Sequence, residues 1–128
     1  MPRLTYACVL TRDIERLGGF YRQVLQLEPH SRGVYMEFDT QPALFSLWSV
    51  DDFQRVAGAS AAEGLASGSV MLEFEVDDVD AEYARLRNLR QLEIEFVMVP
   101  TTLEWGNRSI YFRDPDGNLV NFFSRVGQ

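Results

Sequence analysis

Residues 107–123 read NRSIYFRDPDGNLVNFF, and this stretch decides the fold. Two short runs, SIYFR (109–113) and LVNFF (119–123), alternate with the two-residue period of a strand, and five residues of turn chemistry separate them. Pro115 suits the first central turn position because its ring presets φ, and Gly117 can take the positive φ that ends a type I turn with a bulge. The stretch therefore reads as a β-hairpin. Alternation puts Phe112, Val120 and Phe122 on one face and Tyr111, Arg113 and Asn121 on the other.

Working outward, VMLEFEV (70–76) and EIEFVMV (93–99) read as further strands, and DDVDAEYARLRNL (77–89) as a helix with Val79, Tyr83 and Leu86 on one face. The same order opens the chain. TYACVL (5–10) reads as a strand, and RDIERLGGFYRQVL (12–25) as a helix carrying Ile14, Leu17, Phe20, Tyr21, Val24 and Leu25 at helical spacing, with Thr11 or Asp13 able to cap it. GVYMEF (33–38) and ALFSLWSV (43–50) follow as paired strands. Tyr6 to Asp13 aligns with Met71 to Asp78, with a helix starting at both aspartates, so the chain carries an internal duplication. The parse is two βαβββ modules, residues 1–50 and 70–128. They flank DDFQRVAGASAAEGLASG (51–68), whose Ala, Gly and Ser content reads as a linker (51–69) with at most one helical turn.

At 128 residues, 46% of them hydrophobic, the chain fits one compact domain. Its N-terminus is too short and polar for a signal peptide and no apolar run approaches the roughly 20 residues of a bilayer span, so a soluble, cytoplasmic protein is expected. The net charge of −7 disfavours nucleic acid or an anionic membrane as partner and suits a neutral or cationic small molecule. All twelve basic residues are Arg; with no Lys, Schiff-base chemistry and a P-loop are excluded. His30 is the single His, so no site needs two from one chain, and the single Cys8 reads as a small core residue.

TRDIERLGGFYRQVLQLEP, FEVDDVDAEYARL and EWGNRSIYFRDPDGNLVNFF, in that order and spacing, resemble the vicinal oxygen chelate superfamily, which includes glyoxalase I, extradiol dioxygenases, fosfomycin-resistance enzymes and bleomycin-resistance proteins. The resemblance covers essentially the whole chain. It implies an α+β fold in which two βαβββ modules form a curled mixed β-sheet cup with helices packed outside. It also implies metal ligands, His or Glu in the metal-dependent members, at Tyr6, Met71 and Asn121, with a fourth near Ser46. None of these is a His or a carboxylate, and phenol, thioether, amide and hydroxyl donors hold a divalent transition metal poorly. No metal and no cofactor is therefore expected.

If those four residues face the cup, alternation brings Cys8, Leu44, Trp48, Glu73, Glu75, Leu119 and Phe123 to the same face. It turns Ala7, Val9, Phe45, Leu47, Leu72, Phe74, Val120 and Phe122 toward the helices. Tyr35, Glu37, Tyr111 and Arg113 join the cup face, and Trp105 sits in a loop able to close over it. The expected ligand-binding set is Tyr6, Tyr35, Ser46, Trp48, Met71, Glu73, Trp105, Tyr111, Arg113 and Asn121, an aromatic and acidic lining fit to stack a flat ring and pair a positive charge. Glu73 is the most telling member, a carboxylate where burial would leave its charge uncompensated unless Arg113 or a cation paired it.

Three functions are compatible with these residues. The first is a metal-independent binder that sequesters a cationic or aromatic compound, similar to bleomycin-resistance proteins, which work by sequestration and often as homodimers with sites built from both chains. The second is a superfamily enzyme of lyase, isomerase or dioxygenase type, using metal through Glu73, Glu75, Glu37 and His30 or metal-free acid–base chemistry at Glu73 or Tyr6. The third is a dimeric interaction module whose cup is filled by its own side chains.

Overall fold

The computed structural model describes Met1 and residues 3–126. Two compact units divide the chain, Met1–Ser67 and Gly68–Gln128. In the first, β1 (Tyr6–Thr11), α1 (Ile14–Leu25), β2 (His30–Ser31), β3 (Tyr35–Phe38) and β4 (Leu44–Ser49) are followed by α2 (Val50–Ala57) and α3 (Ala59–Ala62). The second runs β5 (Met71–Glu75), α4 (Val79–Arg87), a 3-10 turn at Arg90–Leu92, β6 (Glu95–Thr102), β7 (Asn107–Arg113) and β8 (Leu119–Arg125). Each unit is a βαβββ module built on an open four-stranded mixed sheet, in the orders β1-β4-β3-β2 and β5-β8-β7-β6. The first strand of each lies parallel to its last, and the other pairings are antiparallel.

The duplicated helix starts behave as their sequence dictates. The Asp13 carboxylate accepts from the Arg16 backbone N–H and the Asp78 carboxylate from that of Ala81, each at 3.1 Å. Such a cap contributes about 1 kcal/mol. Each helix then packs on one face of its own sheet. Leu17, Phe20, Tyr21 and Val24 of α1 are buried with Met36, Phe38, Phe45 and Leu47; Tyr21 meets Phe45 edge-on at 4.8 Å. On α4, Val79 and Leu86 are buried and Tyr83 contacts Phe96 at 5.0 Å. From Phe96 the ring contacts continue through Phe112 and Phe122 to Phe74 across the sheet. Arg108 forks onto Asp80 at 2.8 and 2.9 Å, tying β7 to the first turn of α4.

The 114–118 turn is more than a connection. Gly117 adopts φ +90°. The Asp114 carboxylate accepts from the backbone N–H of Asp116 and Asn118 and from the Asn118 side-chain amide, all at 2.9 Å. The Asn118 side-chain Oδ1 in turn accepts from the Val70 N–H at 3.3 Å, and Val70 O accepts from Leu119 N at 2.9 Å. The turn thus sets the register at which β5 joins β8.

Two expectations are corrected. Residues 51–69 are not a linker with one helical turn, because α2 and α3 fold within the first unit. Ser49 caps α2 through its hydroxyl, and Val50 and Ala62 are buried with Leu10 beside Trp48, Phe53 and Ala66. Phe53, Ala62 and Ala66 of this Ala-, Gly- and Ser-rich segment reach this one cluster, while Val56 and Leu65 stay exposed. The strand of the first module that the sequence pattern misses, since only 33–38 and 43–50 read as strands after the helix, is the two-residue β2, which pairs His30 with Glu37 and Ser31 with Met36.

Gly18 and Gly19 adjoin in α1 yet differ in surroundings. A Cβ on Gly18 would collide with the Met36 Sδ and lie 2.9 Å from its Cε, whereas one on Gly19 meets nothing within 4 Å. Gly19→Ala should stabilise the protein by about 0.5–1 kcal/mol through helix propensity. Gly18→Ala should lose that gain to overpacking, which costs roughly 1–3 kcal/mol. Urea unfolding of the two variants checks the prediction; equal midpoints would contradict it.

Candidate functional site

The face of each sheet that α1 or α4 does not cover carries the chemistry. The expected strand phase holds. Val9, Phe45, Leu47, Leu72, Val120 and Phe122 are buried on the helix side, while Tyr6, Cys8, Met71, Glu73 and Glu75 are exposed on the other. Ser46 and Asn121, at the centres of the two opposite faces, are polar and yet only 1% and 3% exposed.

In the first unit, register lines up Cys8, Ser46, Glu37 and His30 across β1, β4, β3 and β2. The Tyr35 hydroxyl donates to Glu37 Oε1 at 3.0 Å. Burial raises the Tyr35 phenol above its ordinary range; a hydrogen bond with Ser46 works against the shift, and the bond to and charge of Glu37 add to it. Desolvation likewise raises the Cys8 thiol, with a Ser46 hydrogen bond opposing. Cys8, Ser46, Tyr35 and Glu37 thus form one interacting polar group. Cys8 is exposed, so its expected place in the core is corrected: it shares the phase of Tyr6 and leaves the core to Val9. Trp48 is held by structure. Its indole N–H donates to Asp52 Oδ2 at 3.0 Å, and its ring meets Phe53 and Tyr35 edge-on at 5.1 and 6.1 Å. The bond from Trp48, with a smaller contribution from Arg55, holds the Asp52 carboxyl below the usual carboxylate range.

In the second unit the corresponding row is Glu73, Asn121 and Tyr111 across β5, β8 and β7. The Asn121 side-chain amide donates to Glu73 Oε1 at 3.0 Å. Its carbonyl oxygen is buried without a hydrogen-bond partner, as is the hydroxyl of Ser109. Glu73 is exposed and satisfied by Asn121, not buried and paired with Arg113. The Arg113 guanidinium instead donates to Gly117 O at 3.1 Å, as expected of a residue closing the hairpin it belongs to. Met71 is 51% exposed on the edge strand. Trp105 lies exposed in the β6–β7 turn, where Gly106 O accepts from Val126 N, five residues along β8 from Asn121. At about 3.3 Å per strand residue, that is roughly 16 Å from the Asn121 row. Ser109 is the residue of this face that sequence reasoning missed. The signal was available, since it shares the parity of Tyr111 and Arg113.

These donors do not fit a divalent metal. Among the positions the superfamily uses, Tyr6 offers a phenol, Met71 a thioether, Ser46 a hydroxyl engaged by Cys8 and Tyr35, and Asn121 an amide committed to Glu73. Among the described residues, no three His, Cys, Asp or Glu side chains are grouped to hold a metal ion. No described helix is long and apolar enough to cross a membrane.

The fold agrees with that of relatives of this chain. The glyoxalase-like domain family matches residues 4–126. The chain belongs to that family, and through it to the vicinal oxygen chelate superfamily. It is similar to the uncharacterized protein YraH of Bacillus subtilis (strain 168), with 28% identity over 124 residues, 92% of this chain and 94% of that one. Among solved structures it is similar to a glyoxalase/bleomycin resistance protein/dioxygenase from Nocardioides, with a TM-score of 0.81 and 27% identity over 99% of this chain and 85% of that one. A lactoylglutathione lyase from Agrobacterium tumefaciens shares the fold, with a TM-score of 0.76 and 24% identity over 97% and 94% of the two chains.

The Cys8 group makes a direct prediction. Iodoacetamide should alkylate Cys8 with a pH midpoint above that of an ordinary thiol. Removing the Ser46 bond, which lowers the thiol, should move the midpoint of Ser46→Ala further up, so the variant reacts more slowly at pH 8. Faster alkylation of Ser46→Ala across the profile would contradict the assignment.

Proposed function

We propose that this protein is a metal-independent small-molecule binder of the glyoxalase and bleomycin-resistance superfamily, taking a cationic or aromatic compound on the faces that carry Ser46 and Asn121. The observation that carries the reading is the bond from Asn121 to Glu73. It uses an amide donor where a metal-dependent relative would present a ligand, and it leaves Glu73 as an exposed carboxylate in the same cross-strand row as Tyr111, with Asn121 between them. Carboxylate and aromatic face together suit a flat cation, with cation–π attraction of roughly 0.5–2 kcal/mol per contact. Tyr6 and Tyr35 add aromatic surface to the corresponding face of the first unit. The net charge of −7 favours approach of a cation.

An enzymatic role is the second reading, and the exposed Glu73 carboxylate favours it as a general base. Metal content separates the binder from a metal-dependent enzyme. Protein purified without chelator should carry less than stoichiometric Mn, Fe, Ni or Zn by mass spectrometry, and cationic aromatic compounds should raise its melting temperature. A stoichiometric transition metal, or a thermal-shift screen of such compounds without a single response, would overturn the proposal.

A single substitution should not restore a metal centre. Asn121→Glu supplies one carboxylate, but Tyr6, Ser46 and Met71 still lack competent donors. Calorimetry of that variant with Ni, Zn and Mn should show no tight stoichiometric binding; such binding would mean the site is misassigned.

A further inference from the structure

The Asn121 face of the second unit is rich in acceptors and poor in donors. Asn121 has one amide group donating to Glu73 Oε1, while its Oδ1 is buried with no partner. Ser109, 1% exposed, has a buried Oγ with no partner either. The two residues share this face, because Asn121 pairs with Tyr111 and Ser109 pairs with Phe123 two residues along the same ladder. Glu73 stands beside Asn121 on β5. A carboxylate and an amide oxygen only accept hydrogen bonds, and a serine oxygen accepts readily. The cationic donors of this face are engaged elsewhere: the chain has no Lys, the Arg113 Nη1 is turned onto Gly117 O, and the Arg125 Nε lies 3.7 Å from the Glu75 carboxylate. Buried polar atoms in folded proteins almost always find partners, so two neighbouring orphans on one face point to a partner that comes from outside.

We propose that this face binds a protonated nitrogen group carrying several N–H bonds, a primary ammonium, an amidinium or a guanidinium. The group's charge pairs with Glu73 and its N–H bonds are received by Asn121 Oδ1 and Ser109 Oγ. The proposal rests on the ligand-binding reading above and narrows it, since a quaternary ammonium satisfies Glu73 and the Tyr111 ring but brings no N–H for the two orphaned oxygens. Both oxygens are buried, so binding requires a local rearrangement of this face. Charge-assisted hydrogen bonds to amide and hydroxyl oxygens are directional, so this arrangement selects by N–H count as well as by charge.

Two single-ring cations of similar size separate the possibilities, benzamidine with N–H bonds and phenyltrimethylammonium without. By calorimetry on the full chain, benzamidine should bind about tenfold more tightly or better, a difference of roughly 1.4 kcal/mol. Glu73→Gln should weaken both ligands. Ser109→Ala should weaken benzamidine about threefold or more and leave phenyltrimethylammonium unchanged. The ligand-free Ser109→Ala protein should melt no lower than the wild type, because the substitution removes a buried hydroxyl that has no partner. Equal affinities for the two cations, both lowered by Glu73→Gln, would overturn this inference while leaving the ligand-binding reading in place. Binding of neither cation would overturn both. Unchanged benzamidine affinity in Ser109→Ala, or a lower melting temperature of that variant when free, would also overturn the proposal.

Discussion

The parallel pairing of first strand with last within each unit is the contact on which the rest depends. Parallel neighbours cannot be joined by a tight turn, so the helix and the intervening strands must form a long crossover before β1 meets β4 or β5 meets β8. In the second unit that pairing joins Glu73 to Asn121 across 48 positions of sequence. A slip of one residue would turn every side chain of the strand to the opposite face, burying the carboxylates and exposing the phenylalanines. The Asp114–Asn118 turn guards against that slip, because Asn118 holds the Val70 N–H while Val70 O takes the Leu119 N–H.

Once register is set, the two units present equivalent rows with different chemistry. Cys8, Ser46 and Glu37 in one occupy the strand positions of Glu73, Asn121 and Tyr111 in the other. Ser46 and Asn121 both sit buried at the centre, each bonded to its neighbour on the first strand. Duplication has kept the backbone and let the side chains diverge. What the two rows share is a set of hydrogen-bonding groups that neutralise one another, in place of a converging set of metal donors. Orphaned oxygens are then the places where the self-satisfaction of the face stops, and they occur in the second unit at Asn121 and Ser109.

Most of this architecture was legible in the sequence because period-two alternation and paired helix-capping aspartates are local signals. The phase of β1, β4, β5 and β8 follows from alternation once the resemblance puts Tyr6, Ser46, Met71 and Asn121 on one face, and Asp13 and Asp78 mark the helix starts by their capping chemistry. The α2–α3 segment was not legible, because its apolar residues are few and its stability lies in contact with Leu10 and Trp48, elements that sequence spacing does not connect. The bond from Asn121 to Glu73 was hidden for the same reason: alternation assigns both to one face, but only the β5–β8 register makes them partners. Arg113 shows the converse error, where a shared face invited a long-range ion pair and the local carbonyl of Gly117 prevailed.

The central claim is that Asn121 is committed to Glu73 and that its face receives organic cations, not a metal ion. Paramagnetic broadening by Mn tests it most directly, read from the Asn121 side-chain amide and the Met71 methyl in NMR spectra of isotopically labelled protein. At one equivalent of Mn, both signals should persist with no selective broadening relative to exposed residues elsewhere. Selective loss of both at that ratio would place a metal ion beside them and contradict the account.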